Sequence, residues 1–303
     1  MAVLVIVSTV GLLADDRTLL GESVWVKPLK FGIGLAIYST TLAWMLGFLR
    51  RGHRFAWWTG TAFAIAGAVD VAAVVYAASL GTFSHFNNGT DPVAQIVQAA
   101  FSIGIMPLLI ASFVIAVIVI VQRRDDRTIA LAIRAGLTLA VASMVSALAL
   151  STTAGSTPRL VSDSNDRLVP LVGGHGIGDP DGNGMFVTDW SATGGDLRVP
   201  HFVGLHGLQV LLIVAFALNL LSRRIGMLQH EGVRTRLVGA IALGYAGIFV
   251  LLVWQAARGQ SVVSPDAATA VTAGLIAVLT ASLIYLIVRA ARRSTATLAN
   301  LHS

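Results

Sequence analysis

The sequence predicts an all-α integral membrane protein built as a bundle of eight transmembrane helices, and three observations carry that prediction. Seven apolar runs, at about 29 to 49, 55 to 79, 93 to 121, 129 to 150, 201 to 222, 237 to 256 and 268 to 288, are each long enough in helical rise to cross a hydrocarbon core. Of the 303 residues, 55% are hydrophobic and only 12% charged, where soluble domains carry roughly a quarter charged residues. The charges that do occur gather between the runs. A water-soluble globule is excluded.

The eighth run, Ala2 to Ala14, is short and stops at Asp15-Asp16-Arg17. It has neither a basic n-region nor an A-x-A-like cleavage site, so it reads as a helix rather than a cleaved signal peptide. The absence of cysteine excludes disulfides, thiolate catalysis, Cys-ligated zinc or iron–sulfur clusters and covalent c-type haem.

The loops set the orientation. The alternate segments Arg50 to Arg54, Arg123 to Arg134, Arg223 to Arg236 and Arg289 to Arg293 hold 14 of the 21 Lys and Arg, beside three acids, Asp125, Asp126 and Glu231. The opposite side holds seven bases and eleven acids. By the positive-inside rule the basic loops and the C-terminus are cytoplasmic, in a multi-pass protein of the plasma membrane. The net charge of +6 is thus a topology signal, and nucleic acid is not an expected partner. Trp25, Tyr76 and Trp254 at one set of ends, and Trp44, Trp57, Trp58 and Tyr285 at the other, suit headgroup depth.

Residues 1–303 read as a single polytopic membrane domain. The connection 151–200, between the fifth and sixth helices, carries nine glycines and many Asp, Asn and Ser without apolar periodicity, so an irregular extracytoplasmic lid is expected. Small residues recur every four positions at Gly60, Ala64, Ala68 and Ala72, and at Ala240 and Gly244, which suits close helix packing in lipid. Pro107, just after Gly104, predicts a kink.

The pattern allows a tandem 4 + 4 parallel repeat. Val26-Lys27-x-x-Lys30-Phe31 opens the second helix and Leu197-Arg198-x-x-His201-Phe202 the sixth, and both close on Arg-Arg. The third and seventh end on Ala77-Ala78 and Ala256-Ala257, each followed by glycine. A parallel repeat would relate the two helix openings about an axis along the membrane normal, so that Lys27, Lys30, Arg198 and His201 would face one vestibule.

Ionisable side chains are costly in lipid and mark partners or function. Asp70 lies 15 residues beyond Phe55, about 22 Å along its helix; Lys30 is its expected partner, ahead of Lys27 and Arg258. The sixth helix carries His201, His206 and Gln209. His206 and Gln209 share a face, whereas His201 and His206, five apart, point about 140° from each other and cannot clamp one ion. Further polar residues, Gln95, Gln98, Gln255 and Arg258, enter from the same side. Asp179-Pro-Asp181-Gly-Asn183-Gly fits the first half of a calcium loop, but Trp190 stands where the bidentate Glu belongs.

Two functions follow as expectations. The first is a transporter or binder of a small anionic solute, with Asp70 coupling and Lys27, Lys30, Arg198, His201, His206 and Gln209 binding. The second is a membrane redox protein holding a single b-type haem or a quinone, with His206 and either His85 or His201 as ligands. No familiar catalytic motif is present.

Overall fold

The structure, a computed structural model, describes the chain apart from residues 50–51, 123–124, 152–157, 180, 182–183, 186–187 and 301–303, and at 149–151 and 294–300 it describes the backbone alone. Arg50, Arg51, Arg123 and Arg124 of the basic loops therefore lie outside the described residues. The protein is an all-α membrane bundle. Seven helices are long and apolar enough to span: α2 (Val26–Gly47), α3 (His53–Ser79), α4 (Pro92–Val121), α5 (Arg127–Ser151), α6 (Arg198–Leu221), α7 (Glu231–Ala257) and α8 (Ala267–Asn300). The eighth, α1 (Ala2–Ala14), has 13 residues and is about 20 Å long, short of a core of about 30 Å. It packs along the first turns of α2, with Leu4 and Val5 on Gly32 and the Trp25 ring on Gly11.

Several helices begin before their apolar runs. Lys27 and Lys30 fall in the first turns of α2, and Arg198 and His201 in those of α6. Hydropathy marks the hydrocarbon width, whereas the helix continues until its backbone donors find other acceptors.

Two compact units divide the chain, Met1–Val119 with Ser151–Ser191 and Ile120–Leu150 with Ala192–Ser303. Each holds four helices.

In the first unit, a hairpin of β1 (Thr18–Leu19) and β2 (Glu22–Ser23) joins α1 to α2. Leu20 and Gly21 take positive φ at its tip, a two-residue turn that suits twisted strands. Asp15 binds the Arg17 guanidinium at 2.7 Å and the Trp25 indole N–H at 2.8 Å, while Arg17 also donates to the carbonyl of Ser79. One carboxylate thus ties the end of α1 to α2 and, through Arg17, to the end of α3. Tyr38 of α2 stacks on Phe63 of α3, and Gly67 of α3 admits Leu108 of α4.

The long connection is not irregular throughout, contrary to the sequence expectation. It contains an antiparallel hairpin of β3 (Arg159–Ser162) and β4 (Leu168–Leu171), paired from Arg159 with Leu171 to Ser162 with Leu168. Buried Asp163 organises the turn by accepting from the N–H groups of Asn165 and Arg167 and from the Arg167 guanidinium. The hairpin is fastened to the turn after α3, where Ser164 donates to the carbonyl of Gly81, Asn165 to that of Leu80, and Val172 N–H to that of Phe86. These are local Asx-turn and backbone bonds, which composition and periodicity do not register.

In the second unit, glycines bring the helices together. Gly136 of α5 rests on Leu208 of α6, Gly204 of α6 lies between Ser143 of α5 and the Phe249 ring of α7, and Gly244 of α7 meets Thr280 of α8. Tyr245 donates to the carbonyl of Val203 at 2.6 Å. At the other end Asp126 caps α5 through Ile129 N–H and accepts from Asn219 of α6. A methyl group on Gly204 would overlap Ser143 and the Phe249 ring, whereas one on Gly34 would enter open space. Gly204→Ala is expected to cost about 1–3 kcal/mol and lower the thermal unfolding midpoint in detergent, while Gly34→Ala leaves it unchanged or raised.

Candidate functional site

The site grows from one face of α4 in the first unit. Val97, Phe101, Gly104 and Leu108 recur at helical spacing and face α3, where Ala73 and Ala77 pack on Val97, Ala100 and Phe101. One turn further along, Asp70 of α3 lies against Gly104. A side chain at Gly104 would overlap its carboxylate, so glycine is what leaves room for it.

Asp70 is 5% exposed, and its Oδ1 is buried without a hydrogen-bond partner among the described residues. Nine residues separate it from the end of α3 at Ser79, about 14 Å along the helix. Pro107, inside α4, has no N–H to give the carbonyl of Ile103, so a backbone acceptor is freed on the turn beside Gly104. The α4 helix nevertheless runs unbroken through it.

The expected ion pair between Asp70 and Lys30 is not formed. The Lys30 ammonium binds Glu22 at 2.5 Å and the carbonyl of Thr188 at 3.0 Å. The physical reason is the β1–β2 hairpin, whose tight turn presents Glu22 to α2 and offers the ammonium a partner at the membrane rim. Arg258 binds Asp266 instead, within the second unit.

On the hairpin side of Phe101 sits a layer of rings and nitrogens. His85 packs on Phe101 with ring centroids 4.3 Å apart, on Phe31 of α2 at 5.7 Å and on His175 at 6.2 Å, and Phe86 lies edge-on to His175 at 4.8 Å. Enclosure among these rings, the nearby Lys27 ammonium and His175 together hold the His85 imidazole well below its ordinary range. Gln98 of α4 closes the layer by donating to the carbonyls of Asn87 and Gly89. The first unit therefore stacks a polar layer, an apolar layer centred on Phe101 and the lone carboxylate of Asp70.

The remaining sequence-predicted residues belong to the second unit or the long connection. Arg198 grips Asp196, two residues before it, through both Nε and Nη2. His201 meets the carbonyl of Ser143 at 3.2 Å. Phe202 touches both His201 and His206, at 5.7 and 6.4 Å between centroids, and Gln209 lies on the next turn of α6. In the calcium-like string Asp181 is held by Arg159 at 2.6 Å, Asp179 is described beside it, and Asn183 lies outside the described residues. Among the described residues no group of three or more His, Asp or Glu is placed to hold a metal ion.

Sequence reasoning missed His175, Glu22, Phe101 and the role of Gly104. Phe101 and Gly104 had a usable signal, since they share a helical face with Val97 and Leu108; His175 and Glu22 reach the layer only through turns.

The chain matches no family model, no curated protein and no solved structure.

The enclosed imidazole of His85 makes stability depend on pH. A base whose folded-state value is depressed keeps its full contribution above its unfolded value near 6.5 and loses stability as pH falls below it. The thermal midpoint is expected to drop between pH 7 and pH 5, with a slope of up to about 1.4 kcal/mol per pH unit from this one group. His85→Phe should flatten that dependence, and an unchanged slope in the variant would rule the imidazole out as its source.

Proposed function

We propose that the chain is a transporter or binder of a small anionic solute in which Asp70 is the coupling group, taking up and releasing a proton. The observation that carries this reading is Asp70 itself, 5% exposed with a buried oxygen that accepts no hydrogen bond from the described residues. A carboxylate kept in apolar surroundings for structural reasons is normally paired, because an unsatisfied buried acceptor costs about 1–3 kcal/mol. A proton is the ligand that a single carboxylate can hold alone, and among the described residues no cluster offers a metal ion further acidic or imidazole ligands.

The layer beyond Phe101 supports the anionic class of solute. Lys27 supplies the positive charge there, beside the His85 and His175 rings, and a proton entering with an anion crosses the hydrocarbon at no net charge. Phe101 separates this layer from Asp70 and is the barrier through which access would be gated.

A hydrophobic carbodiimide reacts with protonated carboxyl groups in apolar surroundings and so reads the proposal without a known solute. Labelling of purified protein with dicyclohexylcarbodiimide is expected at Asp70, falling as pH rises, and Phe101→Ala is expected to quicken it. An unlabelled wild-type protein, or Asp70→Asn labelled to the wild-type level, would defeat the assignment.

We also assign the basic loops to the cytoplasmic face of the plasma membrane and the β3–β4 hairpin to the outside, on the distribution of Lys and Arg. The chain has no native cysteine, and Ser162 on β3 and Gln229 before α7 are both exposed. In intact cells Ser162→Cys should react with an impermeant maleimide and Gln229→Cys only after permeabilisation; the reverse pattern would invert the topology.

A further inference from the structure

The second unit carries an apolar groove between the outward faces of α7 and α8, with a volume of about 580 Å³. Gly247, Val250 and Trp254 of α7 and Thr272 and Ile276 of α8 line it. Gly244 meets Thr280 and Gly247 meets Ile276 across the pair, and the groove runs from Gly247 to Trp254. The groove offers almost no polar surface, because the hydroxyl of Thr272 is spent on the carbonyl of Ala268 in its own helix. Val250 is 62% exposed and Trp254 40%, so the groove opens to whatever surrounds the bundle.

A cation stands at its mouth. The Arg258 guanidinium lies 3.8 Å over the Trp254 ring, a cation–π stack that fixes its plane. Its Nη2 binds Asp266 at 2.6 Å and approaches Thr269 at 3.4 Å. Its Nε and Nη1 donate to no described residue. Asp266 thus occupies one nitrogen of the fork. Nε–H and Nη1–H point to opposite edges of the guanidinium, so each offers a phosphate oxygen a single charge-assisted bond, and both two-bond edges share Nη2 with Asp266.

We propose that this groove is a binding site for an anionic phospholipid of the leaflet at the C-terminal end of α7, with one acyl chain between α7 and α8 and the phosphate on Arg258. The apolar lining excludes a free phosphate or a polar solute as occupant. The stretch from Gly247 to Trp254 follows a chain down from headgroup depth for about 10 Å, and the ring of Trp254 is of the kind that settles at that depth. The exposed ion pair with Asp266 is no obstacle, since such pairs contribute about 0–1 kcal/mol and leave a guanidinium free to accept a second anion.

Native mass spectrometry of the full chain, released from detergent after addition of equal amounts of phosphatidylglycerol and phosphatidylcholine, tests this. Phosphatidylcholine carries the same phosphodiester but a trimethylammonium that cancels its charge and that Arg258 repels, so one phosphatidylglycerol should be retained about tenfold more, a difference of about 1.4 kcal/mol. Arg258→Gln should abolish the preference and Val250→Trp, which fills the groove, should remove both adducts. Asp266→Asn leaves the fork to the lipid and should increase retention, a gain that misfolding cannot produce. Equal retention of the two lipids by the wild type, an unchanged preference in Arg258→Gln, or a loss in Asp266→Asn would each overturn the proposal.

Discussion

Hydrocarbon solvates neither a peptide group nor a carboxylate, and the position of almost every polar atom in this chain follows from that. The backbone is satisfied within helices, and hydroxyls inside the spans turn back onto their own helix, as Thr40 does to Ala36, Ser102 to Gln98, Thr138 to Arg134 and Thr280 to Ile276. Such back-bonding leaves the outer surface of a helix apolar, so neighbouring helices meet mostly through packing, with a few bonds such as that of Tyr245 to Val203 across them. Close packing then needs small residues, and glycines at Gly67, Gly204 and Gly244 supply them. Asp70 departs from this rule, since its carboxylate cannot fold back and finds no donor across the helix pair.

Charge is handled differently at the rim that carries the hairpins, where several bases are matched by an acid close by. Asp15 and Arg17, Asp196 and Arg198, and Asp163 and Arg167 are sequence neighbours, and Glu22 and Lys30 are brought together by one tight turn. Partly exposed pairs of this kind contribute little net stability. Their effect is positional: Arg17 joins the start of the chain to the end of α3, and Lys30 reaches the long connection at Thr188. Because these cations are answered locally, none of them is drawn down to Asp70. The carboxylate is left apart by the same economy of short contacts that orders the rim.

How much of this was legible follows from the range of each signal. The seven spans show in the sequence because hydropathy sums over some twenty residues. The starts of α2 and α6 fall three residues before their apolar runs, and Pro28 and Pro200 lie in those first turns, where a missing N–H costs nothing. The β3–β4 hairpin was hidden because Asp163 and Ser164 hold it by turn bonds that leave no period. At the site, Asp70 was visible as a charge within an apolar run. Its partner was misassigned to Lys30 because depth along one helix says nothing of where a long side chain on another will turn. His175 lies 90 residues from His85 in the sequence and reaches it only through the fold.

If the two units are a repeat, α7 offers a comparison for the position of Asp70. On the register that matches Ala77-Ala78 at the end of α3 with Ala256-Ala257 at the end of α7, Asp70 and Phe249 are equivalent, each seven residues before the first alanine. Phe249 is 7% exposed and packs on Gly204, a glycine of a neighbouring helix, much as Asp70 lies on Gly104. A buried aromatic there adds apolar contact, about 1.5–3 kcal/mol for a fully buried side chain, while a carboxylate without a donor subtracts from stability. Phe249 thus fills its place on α7 with apolar contact, where Asp70 leaves an unsatisfied oxygen on α3. The acid in the first unit is not explained by the needs of the fold, and its cost is the physical reason to look for its purpose in the binding of a proton.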